Sequence, residues 1–397
     1  MTSLRSRKDA QAGTSVVEMV VVVSVVLVLM LGFFDMSDSA SHINKTQSGL
    51  ADLQQSLRYA AFQVTRNSRM AGAGPIPIEQ SVLARDAVTG NCYDNVGVGP
   101  CAAIQLTDGD NKQHPVRAGT DVLEIRGVLS TPLFAMGPPG GCNDGGCQGS
   151  GTIVTIPGAT TLGVDNKGSF GLLSQFAPPQ LFVVIAGSRA YNVGRATAWS
   201  PQGQDLQVTV DFTDAFARTL DGIPAPASPA QLGATMRAGV MDDYLYFIDA
   251  IEPAHPSLSV ARRSPSPGSV RYDVTVIASD IEDMQVAYGI DSNADNAIGP
   301  PIGVAAGDDE WFGNIDDEVS PTVAQIQGTP ATVGLHAVMV SLVARGASPD
   351  MAVKGQRGSL GIKTMNSAAG QVSPTIPCTR RAATWRINLR NFVYQGV

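Results

Sequence analysis

The chain begins polar and turns apolar at Val16. From residue 19 to 34, sixteen positions pass without a charge. With 14–18 the stretch reaches 21 residues, close to the ~20 that a helix needs to cross hydrocarbon. Nine of the 21 are valine, a mediocre helix former in water; in lipid the backbone must satisfy itself, which forces a helix. The pattern then changes. Ile43, Leu50, Leu53, Leu57, Ala60 and Val64 recur at steps of seven, three, four, three and four, which is one apolar stripe along a helix. Residues 35–70 hold no proline and only Gly49, so both parts read as one helix of about 55 residues, roughly 80 Å long. The glycines of "MAGAGPIP" (70–77) end it.

Further on, the chain reads as strands and turns. "DVLEIRGVLS" (121–130), "GTIVTIPG" (151–158), "LFVVIAGS" (181–188) and "LQVTVDFT" (206–213) are β-rich runs bounded by turn residues. So are "YLYFIDAI" (244–251), "RYDVTVIA" (271–278), "LHAVMVSLVARG" (335–346) and "ATWRINLRNFV" (383–393). The last two alternate with period two, which predicts an antiparallel sheet with one face on the long helix. "MGPPGGCNDGGCQGSG" (136–151) and "SPSPGS" (264–269) read as loops. The expected class is α+β: a long N-terminal α-helix whose first half spans a membrane, packed on an antiparallel β-sheet, with a large loop-rich β insertion.

Charge sharpens this picture. The 397 residues carry a net charge of −8. Arg5, Arg7 and Lys8 against Asp9 give the first thirteen residues +2, which leaves −10 for the rest. An acidic body argues against nucleic acid as a partner, because that affinity comes from lysine and arginine displacing counterions. The basic residues lie before the apolar run, so the positive-inside rule keeps the N-terminus cytoplasmic and exports the bulk of the chain. In an oxidising compartment Cys92 with Cys101, and Cys142 with Cys147, read as two short disulfide loops, with free thiols as the alternative. A metal reading of "CNDGGC" lacks a histidine or a second close pair. Cys378 has no partner legible in the sequence.

Residues 280–318 hold eleven Asp or Glu and no Lys or Arg. Asp291, Asn293 and Asp295 alternate as oxygen ligands do in a calcium loop, but Asn296 stands where such a loop needs glycine and Ile302 where it needs glutamate. Calcium at these three residues, or more loosely at Asp308, Asp309, Asp316 or Asp317, competes with a plain solvated acidic loop. No other cofactor is indicated. His42, His114, His255 and His336 are scattered, and there is no H-E-x-x-H, G-x-S-x-G or G-x-x-x-x-G-K motif. The expectation is a non-enzymatic protein.

Glu18 remains to be explained. A carboxylate in the apolar zone costs roughly 2.5–3.5 kcal/mol on insertion scales, and neither a plain anchor nor a signal peptide cut near Ser39 accounts for it. Gly13, four residues, Glu18, then an apolar run behind a short basic leader resembles the prepilin signal of type IV pilins and pseudopilins. The resemblance implies that a prepilin peptidase cuts between Gly13 and Thr14 and that the new N-terminus is methylated. It also implies that Glu18 docks with the N-terminal ammonium of a neighbouring subunit, where an opposite charge makes a buried carboxylate tolerable. Two features depart from the family: Thr14 stands where phenylalanine is usual, and the apolar half lacks the proline common in major pilins.

Four further segments resemble PilW-type minor pilins: "LRYAAFQVTRNSRMAGAG" (57–74), "VTVIASDIEDMQVAYGIDSNADN" (274–296), "VMVSLVARG" (338–346) and "WRINLRNF" (385–392). Residues 75–270 match nothing in that family. The implied organisation is a leader (1–13), a transmembrane half-helix (14–34), an exported half-helix (35–70) and a periplasmic β-rich domain (71–397), divisible as 75–240 and 241–397. The implied function is priming or capping of pilus assembly. The implied partners are other minor and major pilins, the inner-membrane assembly platform and the lipid bilayer. A J-type pseudopilin of type II secretion and a pilus-tip adhesin are the alternatives.

Overall fold

A computed structural model describes residues 15–71, 82–86, 91–94, 97–100, 106–117, 120–129, 134–135, 150–157, 181–186, 190–213, 236–266, 269–290, 298, 311–312, 328–329, 332–333, 335–346 and 380–389. One long helix, α1 (Val16–Arg69), is followed by antiparallel β-sheets, a broadly α+β arrangement. The chain forms two compact units, Met1–Asp52 and Leu53–Val397, with the boundary inside α1.

In the first unit the described residues are helical from Val16 on. Ile43, expected on the buried stripe, is 57 % exposed. The stripe is buried only from Leu53, where the second unit begins and supplies strands to pack against.

The second unit carries the strands. In chain order they are β1 (Val82–Asp86), β2 (Asn91–Asp94), β3 (Gly97–Pro100), β4 (Leu106–Thr107), β5 (Gln113–His114), β6 (Asp121–Gly127) and β7 (Phe134–Ala135). Next come β8 (Thr152–Ile156), β9 (Leu181–Ala186), β10 (Ala190–Gln202), β11 (Asp205–Asp211), β12 (Met236–Val240), β13 (Asp242–Asp249) and β14 (Ser257–Ser266). The last are β15 (Ser269–Ser279), β16 (Ile281–Ile290), β17 (Trp311–Phe312), β18 (Gly328–Thr329), β19 (Thr332–Val333), β20 (Leu335–Arg345) and β21 (Arg380–Asn388).

Three larger sheets result, ordered β1-β6-β13-β14-β15, β7-β12-β9-β10-β11-β8 and β17-β16-β20-β21. Neighbours β6 and β13 pair in register, Arg126 opposite Asp243, yet the whole six-stranded sheet lies between them in sequence. It is an insertion bounded by Gly127 and Asp242. The expected division at 240 therefore does not separate the sheets, because β1 and β6 share one with β13, β14 and β15. Two single residues switch the chain between sheets: Met241 after β12, and Asp280 after β15. Asp280 has φ of 56°, the left-handed region that aspartate tolerates better than most residues.

One apolar core joins the helix to two sheets. Leu53, Leu57, Ala60 and Val64 of α1 cluster with Leu123, Ile125, Tyr246 and Ile248 of the five-stranded sheet and with Met284, Val286, Val338, Val340 and Leu342 of the four-stranded one. Asn67 donates to the Tyr246 hydroxyl at 2.6 Å, and Asp121 Oδ2 accepts the Val286 N–H at 2.8 Å, tying the layers.

Two expectations are corrected. β20 does not alternate between a buried and a solvated face. It lies between β16 and β21, and its second face puts Ala337 and Met339 against Trp311 and Ile298, so all its positions but His336 are buried. The indole of Trp311 lies close over Gly289: a Cβ there would stand 3.1 Å from the ring, a tight contact. The "SPSPGS" loop shrinks to a hairpin tip, because β14 and β15 run into it and pair Ser266 with Ser269.

Candidate functional site

α1 starts on a serine cap. Ser15 Oγ accepts the Val17 N–H at 3.3 Å and Ser15 O accepts the Met19 N–H at 3.1 Å. Glu18 sits in the first turn, where the helix dipole favours a negative charge, and among the described residues no cation reaches it. Ser24 Oγ donates to Val20 O at 2.8 Å, so this hydroxyl is satisfied within the helix, as an apolar medium requires. The large apolar side chains from Val16 to Phe34 are all exposed, Val16 at 78 %. The helix is long and apolar enough to cross a membrane. Such a surface calls for lipid or other helices as its surroundings.

Gly13, Thr14, Asp291, Asn293, Asp295, Cys101, Cys142, Cys147 and Cys378 lie outside the described residues. The backbone of Cys92 is in the β2–β3 hairpin, opposite Gly99. Among the described residues no group of three His, Cys, Asp or Glu side chains is arranged to hold a metal ion.

Three charged clusters escaped the sequence reading. The first is a buried box on the face of the five-stranded sheet away from α1. Arg126 pairs with Glu124 at 2.5 Å and with Asp243 at 3.5 Å; Arg263 pairs with Asp243 at 3.1 Å and with Glu124 at 3.5 Å. The Arg263 guanidinium also lies 5.7 Å from the ring centre of its cross-strand neighbour Tyr272. Burial pushes the Asp243 carboxyl up to about 6; Arg263 opposes this, Glu124 reinforces it, and Arg126 opposes it. Burial also works against the charge on Arg263, but Asp243 and Glu124 outweigh it and raise its pKa. The signal in the sequence was the i, i+2 spacing of Glu124 and Arg126, which puts both on the same face of β6 as Val122.

In the second cluster, Arg345 and Arg380 stand directly opposite on β20 and β21, a repulsive arrangement that Glu282 relieves. Glu282 Oε1 lies 3.3 Å from Arg345 Nη1, and its Oε2 lies 2.7 Å from Arg380 Nε. A β-bulge between Ile281 and Asp283 leaves Glu282 as the extra residue. In the third, His114 lies between Asp249, 2.6 Å away, and Asp108, 3.3 Å away. Chemically, the first two clusters join neighbouring strands and the third joins the β4–β5 hairpin to the end of β13.

Three of the segments singled out in the sequence become neighbours. "IEDMQVAYGI", "VMVSLVAR" and "WRIN" lie on β16, β20 and β21, adjacent strands of one sheet. The helix-exit segment joins the same core through Leu57, Ala60 and Val64. Comparison with protein-family models, with curated proteins and with solved structures finds no match.

Proposed function

We propose that this chain is a membrane-anchored minor pilin that primes or caps assembly of a type IV pilus. One observation carries the reading: an exposed apolar helix with a single carboxylate in its first turn continues without a break into the core of a β domain. The first half of α1 waits in the inner membrane, with the N-terminus cytoplasmic and the β domain periplasmic. A prepilin peptidase cuts after Gly13, and the amine of Thr14 is methylated. Glu18 is then the fifth residue, and the ammonium of an adjacent subunit neutralises it. That pairing sets register, because an unpaired carboxylate in lipid is costly and docking removes the cost. The β domain meets other pilins by shape, and the cysteine pairs form in the oxidising periplasm.

A substitution of the carboxylate tests this. Glu18→Ala makes the helix more apolar, so insertion into the membrane fraction stays normal, while recovery of the subunit in sheared pili falls at least about tenfold, the equivalent of one lost charge pair. Normal incorporation of Glu18→Ala into pili would refute the docking role.

A further inference from the structure

β21 ends the four-stranded sheet. It pairs with β20, and among the described residues no strand lies along its other side. The ladder shows which of its backbone groups are left over. The Leu389 N–H donates to His336 O at 2.9 Å, and the pairing runs on from there without a bulge, Ile387 opposite Val338 and Trp385 opposite Val340. In an antiparallel ladder such bonded pairs alternate with pairs whose N–H and C=O turn away from each other. The groups of Ala382, Thr384 and Arg386 therefore point outwards from the sheet edge. All three residues are exposed, as is Asn388.

The other outer strands of the larger sheets offer less. β1 and β8 have five residues each, and β7 and β17 have two. β15 is long, but a bulge interrupts its pairing near Leu258, and Asp108 already bridges to it at Tyr272. A long open edge is a template for another chain, and proteins guard such edges with charge. On β21 the charge has one sign. Residues 351–397 hold seven Lys or Arg and no Asp or Glu, a net of +7 that leaves −15 for the rest of the chain. Glu282 occupies Arg380. Arg381 and Arg386 are exposed. Arg386 Nε donates to Asn388 Oδ1 at 3.2 Å and its guanidinium lies 5.6 Å from the ring centre of Trp311, contacts that hold the side chain beside the strand without cancelling its charge.

We propose that β21 is a docking edge that takes an extended acidic segment of a partner protein as a further strand. Ala382, Thr384 and Arg386 supply the backbone bonds. Arg381 and Arg386 are an odd number of positions apart, so they lie on opposite faces of the strand and select carboxylates on both faces of the incoming one. A second copy of β21 fits poorly, because it brings arginines to arginines; the charge that repels it admits an acidic strand. The site lies on the sheet and needs nothing from Glu18.

Two peptides of about ten residues test this on the full chain in detergent micelles. One is a β-branched strand sequence with glutamates spaced to meet Arg381 and Arg386. The other carries the same glutamates with prolines at alternate positions, which cannot join a ladder. The first is expected to bind and, at saturation, to slow hydrogen exchange at the amides of Ala382, Thr384 and Arg386 by about tenfold or more. Arg386→Glu should weaken that binding about tenfold. Ala382→Pro removes one outward N–H and none of those bonded to β20, and should weaken it as much. Should Ala382→Pro fail to fold, the exchange at the three amides and Arg386→Glu decide. The proposal is overturned if the first peptide does not bind, if it binds and leaves those amides unprotected, if the proline peptide binds equally well, or if Arg386→Glu binds it undiminished.

Discussion

Asp243 occupies a row of charges that runs across three strands, from Arg126 through Asp243 to Arg263. Its carboxyl is raised from 3.8 to about 6, with burial the main cause. A raised carboxyl binds its proton more tightly when folded. The stabilisation it contributes is therefore complete below about pH 4 and is lost as pH rises through about 6. Asp243→Asn should flatten the stability of the full chain across that window, measured by denaturant unfolding in detergent at pH ~4 and ~6. An unchanged slope in the variant would remove Asp243 as its source. Such residues were not legible beforehand. Alternation identifies β6 and β13 by their apolar members, Leu123, Ile125, Tyr246 and Ile248, which lie on the α1 side. Glu124, Arg126 and Asp243 fall on the other face, and a charge at those positions reads from sequence as solvent-facing. They are a buried network because Arg126 and Arg263 pair with Glu124 and Asp243 across three strands, β6, β13 and β14, a pairing that no local pattern announces.

At the scale of elements, α1 was the most legible part. Its apolar run and its stripe are local signals, and its end came at Arg69 rather than Met70. The stripe divides sharply by what it meets. Leu57 is 5 % exposed in the core, whereas Phe62, on the opposite face of the same helix, is 60 % exposed. Leu57→Ala should cost about 2–5 kcal/mol of stability and Phe62→Ala no more than about 0.5, read as shifts in the denaturant midpoint. Similar losses for both would mean that the outward face is also packed. The eight β-rich runs all appear as strands, because period and turn residues are local too. Their partners were not legible. Nothing in "LHAVMVSLVARG" indicates that β16 and β21 flank it, or that Trp311 covers its second face above Gly289.

For the molecule as a whole, two features combine. A six-stranded sheet is inserted between paired neighbours β6 and β13, and the sheet that brings β16, β20 and β21 together shares its core with α1. A loop-rich β insertion was legible, but not its place between β6 and β13, since its sequence reads like any other strands and turns; pairing across more than a hundred residues decides the topology. The candidate site was legible as composition alone: one carboxylate at the head of an apolar run, preceded by Gly13 and Thr14. On the reading proposed above, its meaning lies in a second molecule and a covalent change at the N-terminus. The central claim is that Gly13 marks a cut which makes Glu18 the fifth residue behind a new amine. Mass spectrometry of the N-terminus of the protein purified from its own membranes tests it directly. The account predicts that the first residue is N-methylated Thr14; an intact Met1, or a terminus near Ser39, would contradict it.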